Sequence, residues 1–269
     1  MDFRDRLLVR PGTAARLARW DPDDTLHFKK DEDVRDALAR SIARLDELQY
    51  LLYAERRRAL LVVLQGMDSS GKDGTIRHVL TGLNPQGCRV TAFKPPSVEE
   101  ASHDFLWRVH RVVPGRGDIA IFNRSHYEDV LAARVQKLVP RTVWAARYRA
   151  INRFEEYLTE QGVLVVKLFL HISKAEQKRR LAERLADPKK QWKITPDDLT
   201  ARRAWGAYRR AYEDALTHCS TPHAPWYVVP ANKKWFRNLA VSCILVEVLA
   251  ACRMRFPKPS WDISKLRLE

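Results

Sequence analysis

The chain has 269 residues, of which 45% are hydrophobic, so it is long enough to bury a substantial core. Lys and Arg total 48 and Asp and Glu total 33, and the resulting net charge of +15 indicates a polyanionic partner: nucleic acid, another long polyanion or an anionic membrane surface. No apolar run approaches the roughly 20 residues of a membrane span, and the charged N-terminus lacks the apolar core of a signal peptide. The four cysteines are scattered and indicate neither a disulfide framework nor a cysteine metal site. We therefore expect a cytoplasmic protein.

The first elements along the chain are a polar arm, a helix and a strand. Residues 1–33 are predicted to form an N-terminal arm that wraps a single domain formed by residues 34–269. From Val34 to about Arg58, apolar residues recur at three- and four-residue intervals, which predicts an amphipathic helix. Residues 59–66 are an apolar run that ends in glycine, typical of a buried strand in a parallel sheet, and a second helix is predicted after Gly71.

Strands and helices alternate along the rest of the chain. Further strands are predicted at 89–93, 118–123, 163–172 and 226–231. Further helices are predicted at 99–111, 126–137, 142–161, 174–186, 197–217 and 233–253. The basic, proline-containing stretch 187–198 is predicted to be a mobile hairpin. Such alternation is typical of a three-layer α/β fold.

Residues 66–72, Gly-Met-Asp-Ser-Ser-Gly-Lys, fit the G-x-x-x-x-G-K pattern between a predicted strand and a predicted helix. Backbone N–H groups of such a loop point at phosphate oxygens, the following helix adds its positive end, and the lysine adds a point charge. The phosphate-binding residues predicted here are Ser69, Ser70, Gly71, Lys72, Asp73, Gly74 and Thr75. The predicted fold is therefore a P-loop kinase-like three-layer α/β sandwich with a mostly parallel sheet and a helical lid at about 174–212.

Asp73 stands where other P-loops carry the Ser or Thr whose hydroxyl contacts Mg²⁺. Because a metal is needed to shield a transferring phosphoryl group, Asp68 inside the loop is the expected replacement ligand. Asp73 has a second interpretation, as a cap of the helix N-terminus.

The strand predicted at 118–123 ends in Asn123 and is followed at once by Arg124. The neighbouring strand of a P-loop fold normally ends in an acid that organises Mg²⁺, whereas here an amide precedes an arginine. An arginine at this edge can stabilise the charge of a transferring phosphoryl group. A surface salt bridge from Arg124 to Glu128 or Asp129 is the alternative.

Five long segments resemble the polyphosphate kinase 2 family. They are residues 64–76, 93–110, 121–135, 175–193 and 230–238, and the likeness extends from about residue 20 to 255. Three further runs resemble the class III subgroup of that family, which accepts both nucleoside monophosphates and diphosphates. They are Asn-Arg-Ser-His-Tyr-Glu-Asp at 123–129, Asp-Pro-Asp-Asp-Thr at 21–25 and LQYLLYAERR at 48–57.

The resemblance implies reversible transfer of phosphoryl groups from inorganic polyphosphate to AMP and ADP, with Mg²⁺ as cofactor and Mn²⁺ as the alternative metal. Asp68 would bind the metal, Lys72 would hold phosphates, Arg124 would lie beside the transferring group, and Arg184 would be the lid arginine. Asn123, which replaces the strand-end aspartate of other classes, would face the acceptor together with Glu128. The family also forms dimers or tetramers, so we expect a homo-oligomer.

The positive charge is concentrated in the second half of the chain. Residues 141–269 hold 25 basic and 13 acidic side chains, against 23 and 20 in residues 1–140. The residues predicted to contact polyphosphate on and near the lid are Arg180, Lys189, Lys190, Lys193, Arg202, Arg203, Arg209, Arg210, Lys233 and Lys234. A solvated helix surface is the alternative for an isolated basic cluster, but a polyphosphate chain is charged along its whole length and could use all of them.

Two other functions remain open from the sequence: an ATP-dependent nucleotide kinase, and a non-catalytic P-loop protein that binds nucleic acid. Nucleic acid would suit the charge through counterion release. However, no recognised nucleic-acid motif occurs in the chain. We therefore expect polyphosphate and adenine nucleotides as partners, and neither nucleic acid nor membrane.

Overall fold

The structure, a computed structural model, describes residues 2–267, so the first residue of the predicted arm and the last two of the predicted domain lie outside it. The strands are Ala59–Gln65 (β1), Cys88–Ala92 (β2), Ile119–Asn123 (β3), Val163–His171 (β4) and Trp226–Pro230 (β5). The α-helices are Phe3–Leu7 (α1), Glu32–Glu55 (α2), Lys72–Val79 (α3), Val98–Ser102 (α4), Trp107–His110 (α5), Ala132–Val135 (α6), Arg141–Glu160 (α7), Lys174–Ala186 (α8), Pro196–Arg203 (α9), Trp205–Cys219 (α10) and Lys234–Ala251 (α11). Across this described range, no helix is both long enough and apolar enough to cross a membrane.

The five strands form one parallel sheet in the order β2-β3-β1-β4-β5. Every residue of β1 is buried, because helices cover both faces of the sheet. Helices α1, α2 and α3 contact α11 on one side, and α6 and α7 contact α10 on the other. The predicted three-layer α/β fold is confirmed, and its sheet is parallel at every strand pair. The division into an arm and a single domain stays a prediction.

The order of the strands places a ligand crevice at β1. The chain leaves β1 towards β2 and β3 on one side and later continues to β4 and β5 on the other, which makes the carboxyl end of β1 a topological switch point. In the register of the sheet, Leu64 of β1 lies opposite Asn123 of β3. The backbone N–H of Arg124 donates to the carbonyl of Leu64 at 3.0 Å, so the loops that follow β1 and β3 lie side by side.

Three predicted helices are interrupted in the structure. The helix predicted at 99–111 is divided into α4 and α5, because the Asp104 carboxylate accepts the Leu106 N–H and turns the chain. The one predicted at 126–137 begins as the 3₁₀ turn His126–Asp129 before α6, and the one predicted at 197–217 is divided into α9 and α10.

The stretch 187–198 is not a hairpin, so that prediction is wrong. It contains the 3₁₀ turn Gln191–Lys193 and the first turn of α9. Helix α9 begins at Pro196, a residue favoured at the first position of a helix because it lacks an N–H group that the helix could not use there.

The N-terminal arm lies against the β5 edge of the sheet. The Val9 N–H donates to the Trp226 carbonyl at 2.8 Å, and Leu17 is buried. Further along, the Pro22 carbonyl accepts the Asn232 N–H at 3.1 Å. The arm therefore reaches the carboxyl edge of the sheet, close to the residues that follow β5.

A buried network of Tyr127, Glu155 and Lys167 anchors the loop that follows β3. Lys167 Nζ, fully buried on β4, donates to Glu155 Oε2 at 2.5 Å and to the Tyr127 hydroxyl at 2.9 Å. The His126 imidazole contacts Glu155 Oε1 at 3.2 Å. Burial would raise the pKa of Glu155, but Lys167 and His126 hold it below its usual value. The loop that carries Arg124 is thus tied to a buried ion pair.

We predict that Lys167→Met destabilises the protein by about 3–5 kcal/mol, because it leaves the Glu155 carboxylate buried without its cation. The double variant Lys167→Met/Glu155→Leu should recover at least half of the loss, since no unpaired charge remains. Urea denaturation followed by circular dichroism measures the double variant and the two single variants, Lys167→Met and Glu155→Leu. A double variant whose loss equals the sum of the two single losses would contradict the coupling.

Candidate active site

We call the loop at residues 66–72, between β1 and the start of α3, the phosphate loop, and its backbone turns tightly. Ser69 and Gly71 have left-handed backbone conformations, with φ of 65° and 105°, and the Ser70 N–H donates to the Met67 carbonyl at 3.0 Å. The hydroxyls of Ser69 and Ser70 are buried and have no hydrogen-bond partner in the described part of the chain. Because buried polar groups are normally paired, these hydroxyls suit an oxygen-rich ligand such as phosphate.

Lys72 ends the phosphate loop and is the first residue of α3. Its side chain is 9% exposed, and Nζ donates to the carbonyls of Gly66 at 2.8 Å and Met67 at 3.4 Å. Burial lowers the pKa of Lys72, while the nearby Asp68 carboxylate opposes that effect. The ammonium group is therefore already at the loop, where phosphate oxygens can replace the carbonyls as its partners.

Asp68 and Arg124 join the loops after β1 and β3. Arg124 Nη2 donates to Asp68 Oδ1 at 2.8 Å, and Arg124 has a left-handed backbone with φ of 62°. Asp129 binds Arg147 instead, at 3.1 Å. Among the described residues, neither Glu128 nor Asp129 forms a salt bridge with Arg124. The nearby charge of Glu128 nevertheless helps to raise the pKa of Arg124.

Asn123 and Asp73 form a second link between these loops. Asn123 Nδ2 donates to Asp73 Oδ1 at 2.8 Å. The capping position of α3 is occupied by Gly71, so Asp73 lies within the first turn and the alternative that it caps the helix is wrong. Gly74 and Thr75 continue the same turn, and the Thr75 hydroxyl donates to the Gly71 carbonyl at 3.2 Å.

Glu128 lies near the Asp68–Arg124 pair. Desolvation raises its pKa, and the charges of Arg124 and Lys72 oppose that rise. On α10, the buried Tyr212 hydroxyl donates to Gln65 Oε1 at 3.3 Å. The structure thus brings together the residues predicted for the phosphate loop and for the acceptor side.

Arg180 and Arg184, one helical turn apart on α8, have different surroundings. Arg180 is buried, and its guanidinium donates to the carbonyls of Ser69 at 2.9 Å and Ser70 at 3.0 Å. Arg184 is half-buried, and no other described residue accepts a hydrogen bond from it. Arg180 was predicted as a lid contact for polyphosphate, but the structure places it under the phosphate loop with its donors in use. The guanidinium of Arg184, in contrast, donates to no other described residue and is available to a ligand.

The other predicted lid residues lie on the surface of α8 to α10 and at the start of α11. Arg202 donates to the Lys174 carbonyl at 2.8 Å, Lys190 pairs with Asp187 at 2.6 Å, and Arg209 lies 3.6 Å from Glu213. Lys193 stacks over its neighbour Trp192. The remaining members are exposed: Lys189, Arg203, Arg210, Lys233 and Lys234.

Sequence reasoning missed two residues that contact the phosphate loop. Gln177 Nε2 donates to the Asp68 carbonyl at 3.0 Å. Arg237, on the first turn of α11, is buried against Gly71. Arg237 belongs to one of the family-like segments, 230–238, but nothing in its local pattern distinguishes it from a surface cation.

A cleft of about 480 Å³ opens beside the phosphate loop. It lies between the arm, the end of β4 and α10, with Met67, Phe169, Trp20 and Trp205 among its walls. Three cations also line it: Arg19, Lys174 and Arg209. The cleft extends the positive surface from the phosphate loop towards the arm.

The described residues contain no cluster of three His, Cys, Asp or Glu side chains that could enclose a metal. Asp68 nevertheless presents a partly exposed carboxylate at the phosphate loop. Mg²⁺ is commonly held by one or two carboxylates together with substrate phosphates. The donor set therefore fits a metal that arrives with the phosphates and does not fit an all-protein cage.

The profile of the family described as Polyphosphate kinase 2 (PPK2) matches residues 28–257. The chain belongs to the polyphosphate kinase 2 family. A Meiothermus ruber protein named AMP/ADP-polyphosphate phosphotransferase is 52% identical over 262 residues, which cover 97% of this chain and 98% of its own. An ADP-polyphosphate phosphotransferase of Rhodopseudomonas palustris is 42% identical, covering 93% of this chain and 91% of its own. The family resemblance of the motifs is confirmed.

A solved structure supports the same family membership. The crystal structure of polyphosphate kinase 2 from Arthrobacter aurescens TC1 superposes with a TM-score of 0.94 at 44% identity, covering 98% of this chain and 94% of its own. Members of the polyphosphate kinase 2 family generally use a divalent metal, in agreement with the donor set around Asp68.

His171, at the end of β4 on the wall of the cleft, gives a pH prediction. Burial lowers its pKa from 6.5 to about 4, and its Nε2 lies 3.2 Å from the Trp20 carbonyl of the arm. Between pH 4 and pH 6.5 the His171 imidazole is protonated in the unfolded chain but neutral in the folded protein. The stability carried by neutral His171 is therefore fully present above pH 6.5 and is lost as the pH falls towards 4.

We expect the free energy of unfolding to fall between pH 7 and pH 4.5, with about 2 kcal/mol of the loss due to His171. His171→Gln should remove that part of the pH dependence, because glutamine keeps a donor and does not titrate. His78→Gln, at an exposed position, is the control. Equal pH dependence in the two variants, measured by urea denaturation, would contradict the assignment.

Proposed function

We propose that the protein transfers phosphoryl groups from inorganic polyphosphate to AMP and ADP, giving ADP and ATP, and that the transfer is reversible. The observation that carries the proposal is the meeting of Lys72, the Asp68–Arg124 pair and the unpaired Ser69 and Ser70 hydroxyls at one loop. The names of the relatives, an AMP/ADP-polyphosphate phosphotransferase and an ADP-polyphosphate phosphotransferase, support the same substrates.

The donor chain would end at the phosphate loop, with its terminal phosphate against Lys72 and the N–H groups at the start of α3. The rest of the chain would follow the lid and the positive surface, including the cleft lined by Arg19, Lys174 and Arg209. A chain with charge on every phosphate can contact cations along this whole path. A single nucleotide would need only a few of them.

In the transfer step, a phosphate oxygen of AMP or ADP attacks the terminal phosphorus of the donor. The bond from that phosphorus to the bridging oxygen breaks, and the shortened polyphosphate leaves with the electron pair. The attacking oxygen is already ionised, so no protein base is required. Positioning and charge neutralisation by Lys72, Arg124 and Arg184 would supply the catalysis.

Asp68 would hold the divalent metal, which we propose is Mg²⁺, with Mn²⁺ as a substitute. The metal supplies charge neutralisation to the phosphates that it contacts. Asp68 already accepts a hydrogen bond from Arg124, so its carboxylate position is fixed before substrate binds. Asn123 and Glu128 would lie on the acceptor side. We further propose a cytoplasmic homo-oligomer, a dimer or a tetramer, that uses neither nucleic acid nor membrane as a partner.

The direct test of the reaction is incubation of the protein with AMP, Mg²⁺ and long-chain polyphosphate in the absence of ATP. We expect ADP and then ATP, detected by chromatography. An ATP-dependent nucleotide kinase would form ADP from AMP only when ATP is added, and a nucleic-acid-binding protein would form neither product. Absence of products at all chain lengths and with both metals would overturn the proposal.

Lys72→Ala should lower kcat/KM for polyphosphate by at least about 10³-fold, because a preorganised charge at the transferring group is lost. The variant should remain folded, since within the described part of the chain Lys72 Nζ bonds only to loop carbonyls. Circular dichroism checks the fold, and the AMP assay checks the rate. Activity within tenfold of the wild-type value would remove Lys72 from the mechanism.

Arg184→Ala should lower kcat with polyphosphate by about 10²-fold or more. Lys178→Ala, which removes one exposed positive charge from the same helix, is the matched control and should retain nearly full activity. If the two variants are equally active, Arg184 contributes only to the general surface charge and the lid assignment is wrong.

A further inference from the structure

Arg237 is a buried cation at the phosphate loop with no carboxylate partner. The residue is 2% exposed, and within residues 2–267 no acidic group lies within ion-pair distance of it. Nε and Nη2 both donate to the single oxygen Oδ1 of the adjacent Asn238, at 3.1 and 2.7 Å. Buried arginines are usually paired with an acid, so this one requires another explanation.

The guanidinium of Arg237 is fitted into the underside of the loop. If a residue with a side chain replaced Gly71, its Cβ would overlap Nη1 of Arg237. The Cβ of a residue in place of Gly74 would lie 3.2 Å from Nη2 of Arg237. Glycine at both positions therefore makes room for the cation at the first turn of α3. The N-terminus of α3 already carries the positive end of the helix dipole, so Arg237 adds a full charge at the same place.

A second buried guanidinium lies beside it. Arg180 Nη1 is 3.6 Å from the same added Cβ at Gly71, and Arg180 pairs with Glu176 at 2.6 Å. With Lys72, three buried cations therefore surround the loop, and Glu176 balances only one of them. Burial, and then the charge of Arg180, lower the pKa of Arg237 to about 10. The charge of Arg237 is thus unfavourable in the absence of an anion.

We propose that Arg237 is a positioning residue whose uncompensated charge is balanced by the phosphate bound at residues 66–72. Arg237 therefore raises the affinity of the protein for the end of the polyphosphate chain. The same charge destabilises the protein when no ligand is bound. The proposal rests on the proposed function for the identity of the anion. It also assigns the glycines at positions 71 and 74 a second task, since their lack of side chains admits the guanidinium.

The test compares Arg237→Met, which keeps the length and apolar contacts of the side chain, with Arg237→Lys, which keeps the charge. Arg40→Met is the matched control, because it removes one exposed positive charge on α2. Each protein is melted with and without tripolyphosphate, and kcat and KM for polyphosphate are measured. Tripolyphosphate binding can be read without turnover, so failure of the proposed function and failure of this inference are distinguishable.

We expect Arg237→Met to melt at or above the wild-type temperature without ligand and to lose most of the tripolyphosphate-induced rise in Tm. Its KM for polyphosphate should increase about tenfold with kcat within about threefold, the pattern of lost binding. Arg237→Lys should retain at least half of the Tm rise, and Arg40→Met all of it.

A purely structural Arg237 gives the opposite result. Arg237→Met would then melt well below the wild type without ligand, while its tripolyphosphate shift and KM stayed unchanged. Failure of Arg237→Met to fold would also overturn the proposal, because it would make the cation a requirement of the fold. A wild-type protein that tripolyphosphate stabilises but that transfers no phosphoryl group would refute the proposed function and leave this inference in place.

Discussion

Arg180 holds the phosphate loop in shape from below, and most of the candidate site depends on that arrangement. Its guanidinium donates to the carbonyls of Ser69 and Ser70 on one side and to those of Ala231 and Asn232 on the other, at 2.5–3.0 Å. One side chain therefore fixes the loop after β1, the turn after β5 and the helix that starts the lid. Because these carbonyls point down towards Arg180, the loop can present its N–H groups to the opposite side, where phosphate would bind.

The same arrangement explains the charge of the molecule near the site. Carbonyl groups and Glu176 satisfy Arg180, but Lys72 and Arg237 have no carboxylate of their own among the described residues. Asp68 is shared between Arg124 and, in the proposed mechanism, a divalent metal. The protein thus carries an excess of fixed positive charge around a cradle of N–H groups. In the proposed function a polyanion would supply the compensating charge, so electrostatic preorganisation would serve both binding and transfer.

The sequence predicted the sheet and the tight turn at residues 66–72 well, because both depend on local patterns. The apolar run at 59–66 and the glycines at 66 and 71 determine a buried strand and a tight turn with little help from the rest of the chain. The helix breaks at Asp104 and Ala204 were missed, since apolar spacing continues across them and a single side-chain hydrogen bond or turn decides the outcome.

The distinction between Arg180 and Arg184 could not be predicted. The two are four residues apart on one helix, so periodicity gives them the same face. Only the tertiary position of the phosphate loop separates the buried Arg180 from Arg184, which has no hydrogen-bond acceptor among the described residues. Arg237 was missed for the same reason, because its burial depends on glycines at 71 and 74 that lie far away in sequence. The Asn123–Asp73 bond likewise required the register of β1 and β3.

The central claim is that the loop at residues 66–72 receives the end of a polyphosphate chain. A crystal structure of the protein with tripolyphosphate and AMP tests it most directly. The account predicts that Lys72 Nζ leaves the Gly66 carbonyl and bonds to the terminal phosphate, with the Ser69 and Ser70 hydroxyls at hydrogen-bond distance from its oxygens. A structure in which Lys72 stays on Gly66 while the phosphates bind only on the exposed lid surface would contradict the account.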